Sequence, residues 1–302
     1  MPELDFRTVS YRLWRLRRLI LVSICLPLPG ILFATLVDLW LGFGGGGGAI
    51  WLIWTLAVLA LAIRFPNGWM DNLALGLPLL FVTFTSPIAR IFDIGPFLGM
   101  ILALIALGGG WLWINAALPA ILEEIPLGDR KNTFLARVSL PASQLRDAVF
   151  LRPGGVHGLH ACGPAEPDGL FEVKALGHQL PSASSGKTAP EVRFYAKVLE
   201  GDAKSQVTQF FLDKEDVAAG TVYEEITPTQ RGCRYAKEEV HDHFSAFSAL
   251  GFWLTDAEAD DFTALLDHIQ DKPARALKLM PQDSLLAWVT EQITERMSRD
   301  PA

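Results

Sequence analysis

The sequence predicts a multi-pass α-helical membrane domain followed by a soluble α+β domain built on an antiparallel sheet. The first observation is the uneven placement of charge. Only five charged residues lie between Leu19 and Leu122, whereas the chain from position 123 onward carries 19 Lys/Arg and 28 Asp/Glu. A soluble domain needs charge along its whole surface, so the first 122 residues are typical of a membrane segment. The second observation is a series of short alternating stretches joined by short turns, which is typical of antiparallel strands.

Four apolar stretches account for the membrane domain, residues 1–122. An α-helix needs about 20 apolar residues to cross the hydrocarbon core, and the predicted spans are 19–41, 43–65, 73–91 and 97–122. Pro27 and Pro29 predict a kink in the first span, and the glycines from Gly44 to Gly48 predict the turn before the second. Asp38, near the end of the first span, is expected to reach water. This scarcity of polar groups favours an anchor over a transporter or channel.

Positive charges at the span ends predict the orientation. Those expected on one side are Arg7, Arg12, Arg15, Arg17, Arg18, Arg64, Arg130, Lys131 and Arg137, and only Arg90 is expected opposite. Because cytoplasmic loops carry the excess of Lys and Arg, both termini are predicted in the cytoplasm and the protein in the cell (inner) membrane.

Charge and cysteine content limit the function of the soluble part. Its acidic balance excludes the basic face that nucleic-acid binders need, so no nucleic-acid partner is expected. Cys25, Cys162 and Cys233 are too few and too scattered for a disulfide framework, which fits a reducing compartment.

The soluble part divides into a polar linker (123–132), a sheet domain (133–272) and a C-terminal amphipathic helix within 273–302. "TFLARVSL" alternates as a strand does, and Pro141 then starts a helix. Further strands are predicted in "LFEVKAL", "EVRFYAKVLEG", "SQVTQFFLD", "GTVYEEITP" and "GCRYAKEEVHDHF". Thr255 and Glu258 have the spacing of a capping box at the start of the closing helix.

The stretch "SSGKT" (184–188) has the Gly-Lys-Thr ending of a phosphate-binding loop. Such a loop begins with a glycine and lies between a strand and a helix. Here Pro181 stands where the first glycine belongs, and Ala189-Pro190 leads into an alternating strand. The stretch is therefore predicted to be a hairpin loop that binds no nucleotide.

Three stretches resemble the START-like (SRPBCC) superfamily, which includes polyketide cyclase/dehydrase and lipid-transfer proteins. "ARVSLPASQLRDAV" is similar to that family's first strand and first helix, "GTVYEEITPTQRGCRYAKEEVHD" to its last hairpin, and "DAEADDFTALLDHIQD" to the helix that crosses its sheet. The resemblance covers about residues 132 to 272 and no part of the membrane domain. It implies a helix-grip fold with an apolar cavity between sheet and helix, and it implies no catalytic residue set.

The apolar faces of the predicted strands and closing helix supply the candidate ligand-binding residues. These are Phe171, Val173, Phe194, Ala196, Val198, Val222, Val240, Phe262, Leu265 and Ile269. Glu224 alternates in phase with Val222, and Glu238 with Val240. If both faces line the cavity, two carboxylates stand in apolar surroundings that raise a carboxyl pKa and suit acid–base chemistry. If the faces point outward, both are solvated surface residues.

Two loose groups of possible metal ligands do not predict a metal site. His241 and His243 share a strand face, and His157, His160 and Cys162 lie close together in sequence. Zinc sites need four ligands, or three and a water, at tight spacing, and neither group supplies them alone. No metal and no other cofactor is predicted.

Three function classes remain open on the sequence. The first is a membrane-anchored module that binds an apolar, lipid-like small molecule in the cavity. The second is an enzyme that acts on such a molecule, with Glu224 or Glu238 as acid or base. The third is an interaction protein whose interior is filled by its own side chains. Membrane lipids, the apolar ligand and a membrane-protein partner are the expected partners.

Overall fold

The predicted fold class is confirmed. A computed structural model describes residues 6–42, 47–92, 94–176, 192–214, 217–242, 244–277 and 284–299. A half made of helices comes first, here called the helical half (6–123). An eight-stranded antiparallel sheet with a helix laid across it follows, here called the sheet domain (130–269).

The described part of the helical half has six helices: α1 (Phe6–Arg15), α2 (Arg17–Cys25), α3 (Leu28–Trp40), α4 (Gly47–Arg64), α5 (Trp69–Ile91) and α6 (Pro96–Glu123). Within the described residues, four segments are long and apolar enough to cross a membrane: Arg17–Trp40, Gly47–Arg64, Trp69–Ile91 and Phe97–Glu123. The first of these is α2 and α3 together, and it leaves the helical pattern at Leu26 and Pro27. The last two glycines of the Gly44–Gly48 run open α4, and positions 44–46 lie outside the described residues.

The helices of this half pack closely where small residues allow it. A methyl group on Gly30 would lie 2.2 Å from the hydroxyl of Thr83, so α3 and α5 approach at this glycine as only glycine permits. Asp38 on α3 does not reach water as expected. It is 6% exposed and forms an ion pair with Arg90 on α5, because the two helices bring the acid and the base together.

The sheet domain contains β1 (Arg130–Val138), α7 (Ala142–Val149), β2 (Val156–His157), β3 (His160–Cys162), β4 (Leu170–Ala175), β5 (Arg193–Gly201), β6 (Ser205–Phe211), β7 (Gly220–Thr229), β8 (Gly232–His241), α8 (Ala246–Thr255) and α9 (Ala257–Ile269). Strand order in the sheet is β1-β8-β7-β6-β5-β4-β3-β2, with every pair antiparallel. Its largest core cluster joins α7 and α9 to β1, β7 and β8 around Phe150, Tyr235 and Phe262. The helix α9 therefore closes the face of the sheet, which is the helix-grip arrangement.

Two local predictions differ from the structure. β1 begins at Arg130, inside the predicted linker, because the Arg130 side chain pairs with Glu258 on α9 at 2.9 Å and anchors the strand start. The predicted capping box at Thr255 is wrong. Thr255 is the last residue of α8 and donates to the carbonyl of Gly251, while Ser245 caps α8 and Asp256 turns the chain in a left-handed conformation (φ 54°).

The α8–α9 junction joins the sheet domain to the helical half. Asp256 forms an ion pair with Arg15 at 2.9 Å and lies near Arg17 and Arg18. Tyr11 donates a hydrogen bond to Asp260 of α9 at 2.7 Å. α8 itself packs against α2, α5 and α6. The arginines that predicted the orientation thus also hold the two halves together.

After α9 the chain forms a last helix, α10 (Leu285–Arg299). The carboxylate of Asp71, in the first turn of α5, accepts a hydrogen bond from the backbone N–H of Leu285 at 2.7 Å. The ring of Trp288 lies 6.2 Å from that of Phe65. The start of α10 is therefore held at the end of the helical half that also meets α8.

Candidate functional site

A cavity of about 290 Å³ lies between the sheet and α9. Side chains from α7, α9 and six strands, or from the residues next to them, surround it. The lining residues are Val149, Leu151, Leu159, His160, Ala175, Val192, Arg193, Phe194, Thr208, Phe210, Leu212, Val222, Glu224, Lys237, Glu239, His241, Asp261 and Leu265. Most of this lining is apolar, and the charged residues other than Arg193 on β5 lie on β7, β8 and α9.

Strand register explains why charge reaches the interior. Opposite residues in an antiparallel pair share one face, and Glu224 pairs with Lys237 while Val222 pairs with Glu239. The phase of β8 is fixed by Tyr235, which is fully buried in the core. Since alternate residues of a strand share a face, Lys237, Glu239 and His241 lie on the inner face with Tyr235.

Hydrogen bonds and ion pairs join the polar residues of this wall in pairs. The ammonium group of Lys237 forms an ion pair with Glu239, and the Tyr235 hydroxyl donates to the carboxylate of Glu224. Only 4% of Glu224 is exposed. Thr208, beside it on β6, accepts a hydrogen bond from Gln206 at 3.0 Å. Buried polar groups that are paired in this way have fixed positions, so they can orient a bound polar group.

Burial and the neighbouring charges set the protonation of these groups. Burial raises the pKa of Glu224 to about 7, although Lys237 and Tyr235 oppose the shift. Burial by itself would lower the pKa of Lys237. The negative charges of Glu239 and Glu224 outweigh this effect, so the pKa of Lys237 is raised. Burial would raise the pKa of Glu239 too, yet Lys237 lowers it to about 2. Near neutral pH the cavity therefore holds a fixed Lys237–Glu239 ion pair and a Glu224 that readily changes its protonation.

His241 links the cavity to the start of β1. Its Nε2 lies 3.8 Å from Glu239 and 3.7 Å from Glu258, which is electrostatic range but beyond hydrogen-bond length. Glu258 also accepts hydrogen bonds from Arg130 at 2.9 Å and Asn132 at 2.5 Å. Gly220, opposite His241 on β7, leaves room for the Phe210 ring, which a methyl group there would meet at 2.5 Å. The imidazole therefore sits between apolar rings and two carboxylates.

The structure brings some of the sequence-predicted ligand-binding residues to the cavity and others to the adjoining core. Phe194, Val222 and Leu265 line it. Those that pack beside it are Phe171, Val173, Ala196 and Val198 in the cluster around Cys162, and Phe262 and Ile269 in the cluster around Tyr235. Their part in ligand binding stays a prediction.

Glu238 and Val240 do not lie where the sequence placed them. Glu238 is opposite Tyr223 and Thr133, on the face that points away from the cavity, and forms an ion pair with Lys131 at 2.6 Å. Val240 shares that outer face. Neither alternative for the pair holds, because Glu224 lines the cavity whereas Glu238 lies on the opposite side of the sheet.

The two groups of possible metal ligands separate in space. His157 lies between the backbone carbonyls of Asp147 and Arg152, His160 lines the cavity, and Cys162 is buried in the core. His243 and the "SSGKT" stretch lie outside the described residues. In the part of the chain that the structure describes, no three His, Cys, Asp or Glu side chains are placed to hold a metal ion.

The sequence analysis did not identify five polar cavity residues: Arg193, Thr208, Lys237, Glu239 and Asp261. In the sequence they resemble solvent-facing positions of a strand or an amphipathic helix, since charged residues are rarely buried unless paired. The signal that could have found Lys237 and Glu239 is the phase of Tyr235, a large aromatic residue two positions before Lys237.

Replacing Glu224 by glutamine is expected to remove one pH dependence of stability. A carboxyl whose folded pKa is raised stabilises the fold fully below its unfolded pKa, near 4.5, and loses that contribution as the pH rises to about 7. The loss amounts to ~3 kcal/mol, at ~1.4 kcal/mol per pH unit. Glu224→Gln carries no such ionisation, so its stability relative to the unmodified protein should rise between pH 4.5 and 7.

Amide hydrogen exchange of β7 and β8 in the full-length protein measures this effect, with the ratio of variant to unmodified protection taken at each pH. Glu225→Gln, one position along on the outer face of β7, is the control and should give a constant ratio. A constant ratio for Glu224→Gln would contradict the burial argument.

Comparison with known proteins gives similar solved structures at low identity. No family model matches the chain, and no curated protein does. A protein from Nitrosomonas europaea, NE0264, is 13% identical over 47% of this chain and 92% of its own, with a TM-score of 0.32. The di-domain ARO/CYC BexL from the BE-7585A biosynthetic pathway is 15% identical over 56% of this chain and 61% of its own, with a TM-score of 0.32.

A third similar structure is the Polyketide_cyc-like protein Cgl2372 from Corynebacterium glutamicum. It is 10% identical over 56% of this chain and 96% of its own, with a TM-score of 0.25. At these values the three structures carry no argument about the ligand or activity of this chain.

Proposed function

We propose that this protein is a membrane-anchored module whose sheet domain binds an amphipathic small molecule in the cavity. The observation that carries the proposal is the cavity of about 290 Å³, apolar over most of its lining and polar on one wall. Small-molecule sites have this composition, since apolar area supplies affinity and a few polar groups fix orientation. A space of this size also argues against an interaction protein with a filled interior.

The residues of the cavity wall indicate the chemical class of ligand that would fit. Val149, Leu151 and Leu265 offer apolar surface on one side, which suits a lipid-like hydrocarbon body. On β7 and β8, Glu224 and Lys237 offer an acceptor or donor and a fixed cation, which suit a hydroxyl, carbonyl or carboxylate. The expected ligand is therefore a lipid-like molecule with one polar group.

The experiment is to identify small molecules that co-purify with the full-length protein, by native mass spectrometry and extraction. An amphipathic molecule bound in a fixed ratio supports the proposal. A protein that carries none, and takes up no dansyl-labelled fatty acid at any concentration below micelle formation, contradicts it.

An enzyme acting on the same ligand is the second candidate, and Glu224 is the observation that favours it. A buried carboxyl whose pKa is about 7 can both accept and donate a proton at neutral pH. Glu238 loses its candidacy because it faces away from the cavity. The Glu224→Gln variant separates the two candidates: a binding module keeps most of its affinity, whereas an enzyme binds the co-purified molecule and no longer converts it.

The helical half is proposed to be the anchor, with the sheet domain in the cytoplasm. Four described helices have the length and composition of membrane spans, and the arginines around Asp256 lie on the side that carries the sheet domain. A reporter fused after Ala302 should be active only in its cytoplasmic form, and one inserted in the Gly44–Gly48 run only in its periplasmic form. Periplasmic activity at the C-terminus would contradict this orientation.

A further inference from the structure

One end of the sheet adjoins the helical half. β1 begins at Arg130, shortly after α6 ends at Glu123, and β8 ends at His241 and continues into α8. Backbone hydrogen bonds from Leu127 to Phe244 and from Ala246 to Ile125, both 2.8 Å, extend this pair of strands toward the helices. Because α8 then packs on α2, α5 and α6, this end of the β1–β8 pair faces the predicted membrane boundary.

The antiparallel register shows which ends of the other strands lie on the same side as this end of the β1–β8 pair. His241 is opposite Gly220 at the start of β7, Gly220 is opposite Phe210 near the end of β6, and Arg193 at the start of β5 is opposite Lys174 near the end of β4. The end of β4, the start of β5, the end of β6 and the start of β7 therefore lie on the side of the helical half.

The cavity reaches the surface at this end. Among its lining residues, Leu212 is 71% exposed, and it directly follows β6 where that strand ends toward the helical half. Arg193, at the start of β5, is exposed as well. The residues farther along the strands are closed off, since Thr208 is 3% exposed and Glu224 4%. The mouth of the cavity therefore faces the same way as the ends of the membrane helices.

Three exposed apolar side chains lie in the segments that follow β4 and β6 at this end of the sheet. Leu176 follows β4, and Leu212 and Val217 lie in the β6–β7 connection. They are 39%, 71% and 76% exposed. We call these three residues the apolar rim. Large apolar groups exposed to water are unfavourable, and several of them at the end of a sheet that adjoins long apolar helices are typical of a surface that meets the lipid interface.

We propose that the apolar rim contacts the bilayer that holds the helical half, so that the ligand passes between the adjacent leaflet and the cavity without crossing water. The bilayer is the occupant because α8, which follows β8 at this end of the sheet, packs on α2, α5 and α6, three helices of the proposed anchor. The passage of a ligand rests on the proposed function, whereas the contact of the rim with lipid does not. The two parts are therefore tested separately.

The contact is tested with single-cysteine variants of the full-length protein in lipid nanodiscs. Cys25→Ser removes the exposed native thiol, and the buried Cys162 and Cys233 are protected from labelling. A fluorophore is then attached to Leu212→Cys or Val217→Cys. Leu199→Cys is the matched control, since Leu199 is 49% exposed but lies toward the opposite end of β5.

Acyl chains that carry bromine quench only fluorophores that touch them. We expect loss of fluorescence at 212 and 217 and none at 199, with hydrogen exchange of β5 and β6 showing that each variant is folded. No quenching at 212 and 217, or equal quenching at 199, overturns the proposal. A third outcome also overturns the proposal: the label at 217 is protected from a water-soluble quencher but is not quenched by brominated chains. The apolar rim would then be covered by protein and not by lipid.

The passage of the ligand is tested with Val217→Glu, since Val217 does not line the cavity. Transfer of a dansyl-labelled fatty acid from vesicles should slow by about tenfold, because a charge in the interface removes the contact of one apolar side chain. Its equilibrium affinity for protein in detergent should stay unchanged, and Leu199→Glu should transfer at the unmodified rate. Unmodified transfer by Val217→Glu overturns this part. A probe that fails to bind the unmodified protein instead counts against the proposed function.

Discussion

Replacing Lys237 by methionine is expected to destabilise the sheet domain more than any other single change in the cavity. Lys237 is the cation between Glu239 and Glu224, and only 17% and 11% of the side chains of Lys237 and Glu239 are exposed. Breaking a buried ion pair from one side costs roughly 3–5 kcal/mol. Since the pair is not fully closed off from water, we expect about 2–4 kcal/mol at pH 8.

The pH dependence of this loss follows from the lowered pKa of Glu239. In the unmodified protein its ionised form contributes stability above the unfolded pKa of about 4.5, and this stability is lost as the pH falls toward about 2. Without Lys237, burial raises the pKa of Glu239, and the carboxyl is neutral in mildly acidic solution. The Lys237→Met defect should therefore be largest at pH 8 and shrink toward pH 5.

Hydrogen exchange of β8 amides in the full-length protein measures the loss. Adding Glu239→Gln to Lys237→Met should restore most of the stability, because no buried charge is then left alone. Lys197→Met is the matched control, since Lys197 lies on the outer face of β5 opposite Gln209. A single variant as stable as this control, or a double variant that is no better than the single one, would show that the ion pair does not hold this wall.

The sequence predicted the elements of the fold because each of them depends on a local pattern. The apolar stretches of the helical half and the alternation in β4 and β5 are both visible without tertiary structure. The start of β1 was missed because its anchor is not local. Arg130 depends on Glu258, and no pattern near position 130 reports that contact.

The polar wall of the cavity was predicted only in part, and β8 shows why. The apolar residues Ala236 and Val240 predict an inner face that would also carry Glu238. The register instead follows Tyr235, whose ring stacks on Phe262 of α9 with centroids 5.5 Å apart. A fully buried aromatic ring contributes more to packing than an alanine, so it decides which face turns inward. Because the side-chain period is two, one change of phase exchanges the whole set of inward residues.

The difference between the cavity lining and the packed core beside it decides where a mutation can fill the cavity. Ala196 is small and lies on the inner face, but it is fully buried against Phe171, Val173 and Cys162. A large residue there would overpack the core. Ala175, at the end of β4, lines the cavity itself. It is therefore the better position for a bulky side chain.

Ala175→Trp is expected to abolish binding of a dansyl-labelled fatty acid while the sheet domain stays folded. The indole enters a space of about 290 Å³ and takes the volume in which the apolar body of the ligand would lie. Adding volume beside a packed core costs roughly 1–3 kcal/mol, so hydrogen exchange of β4 and β5 must accompany the binding measurement.

Ala161→Trp is the matched control, because Ala161 on β3 is opposite Lys174 on the outer face. It adds the same side chain outside the cavity and should bind as the unmodified protein does. If folded Ala175→Trp binds the probe with unchanged affinity, the ligand does not occupy this cavity, and the proposed function fails with it.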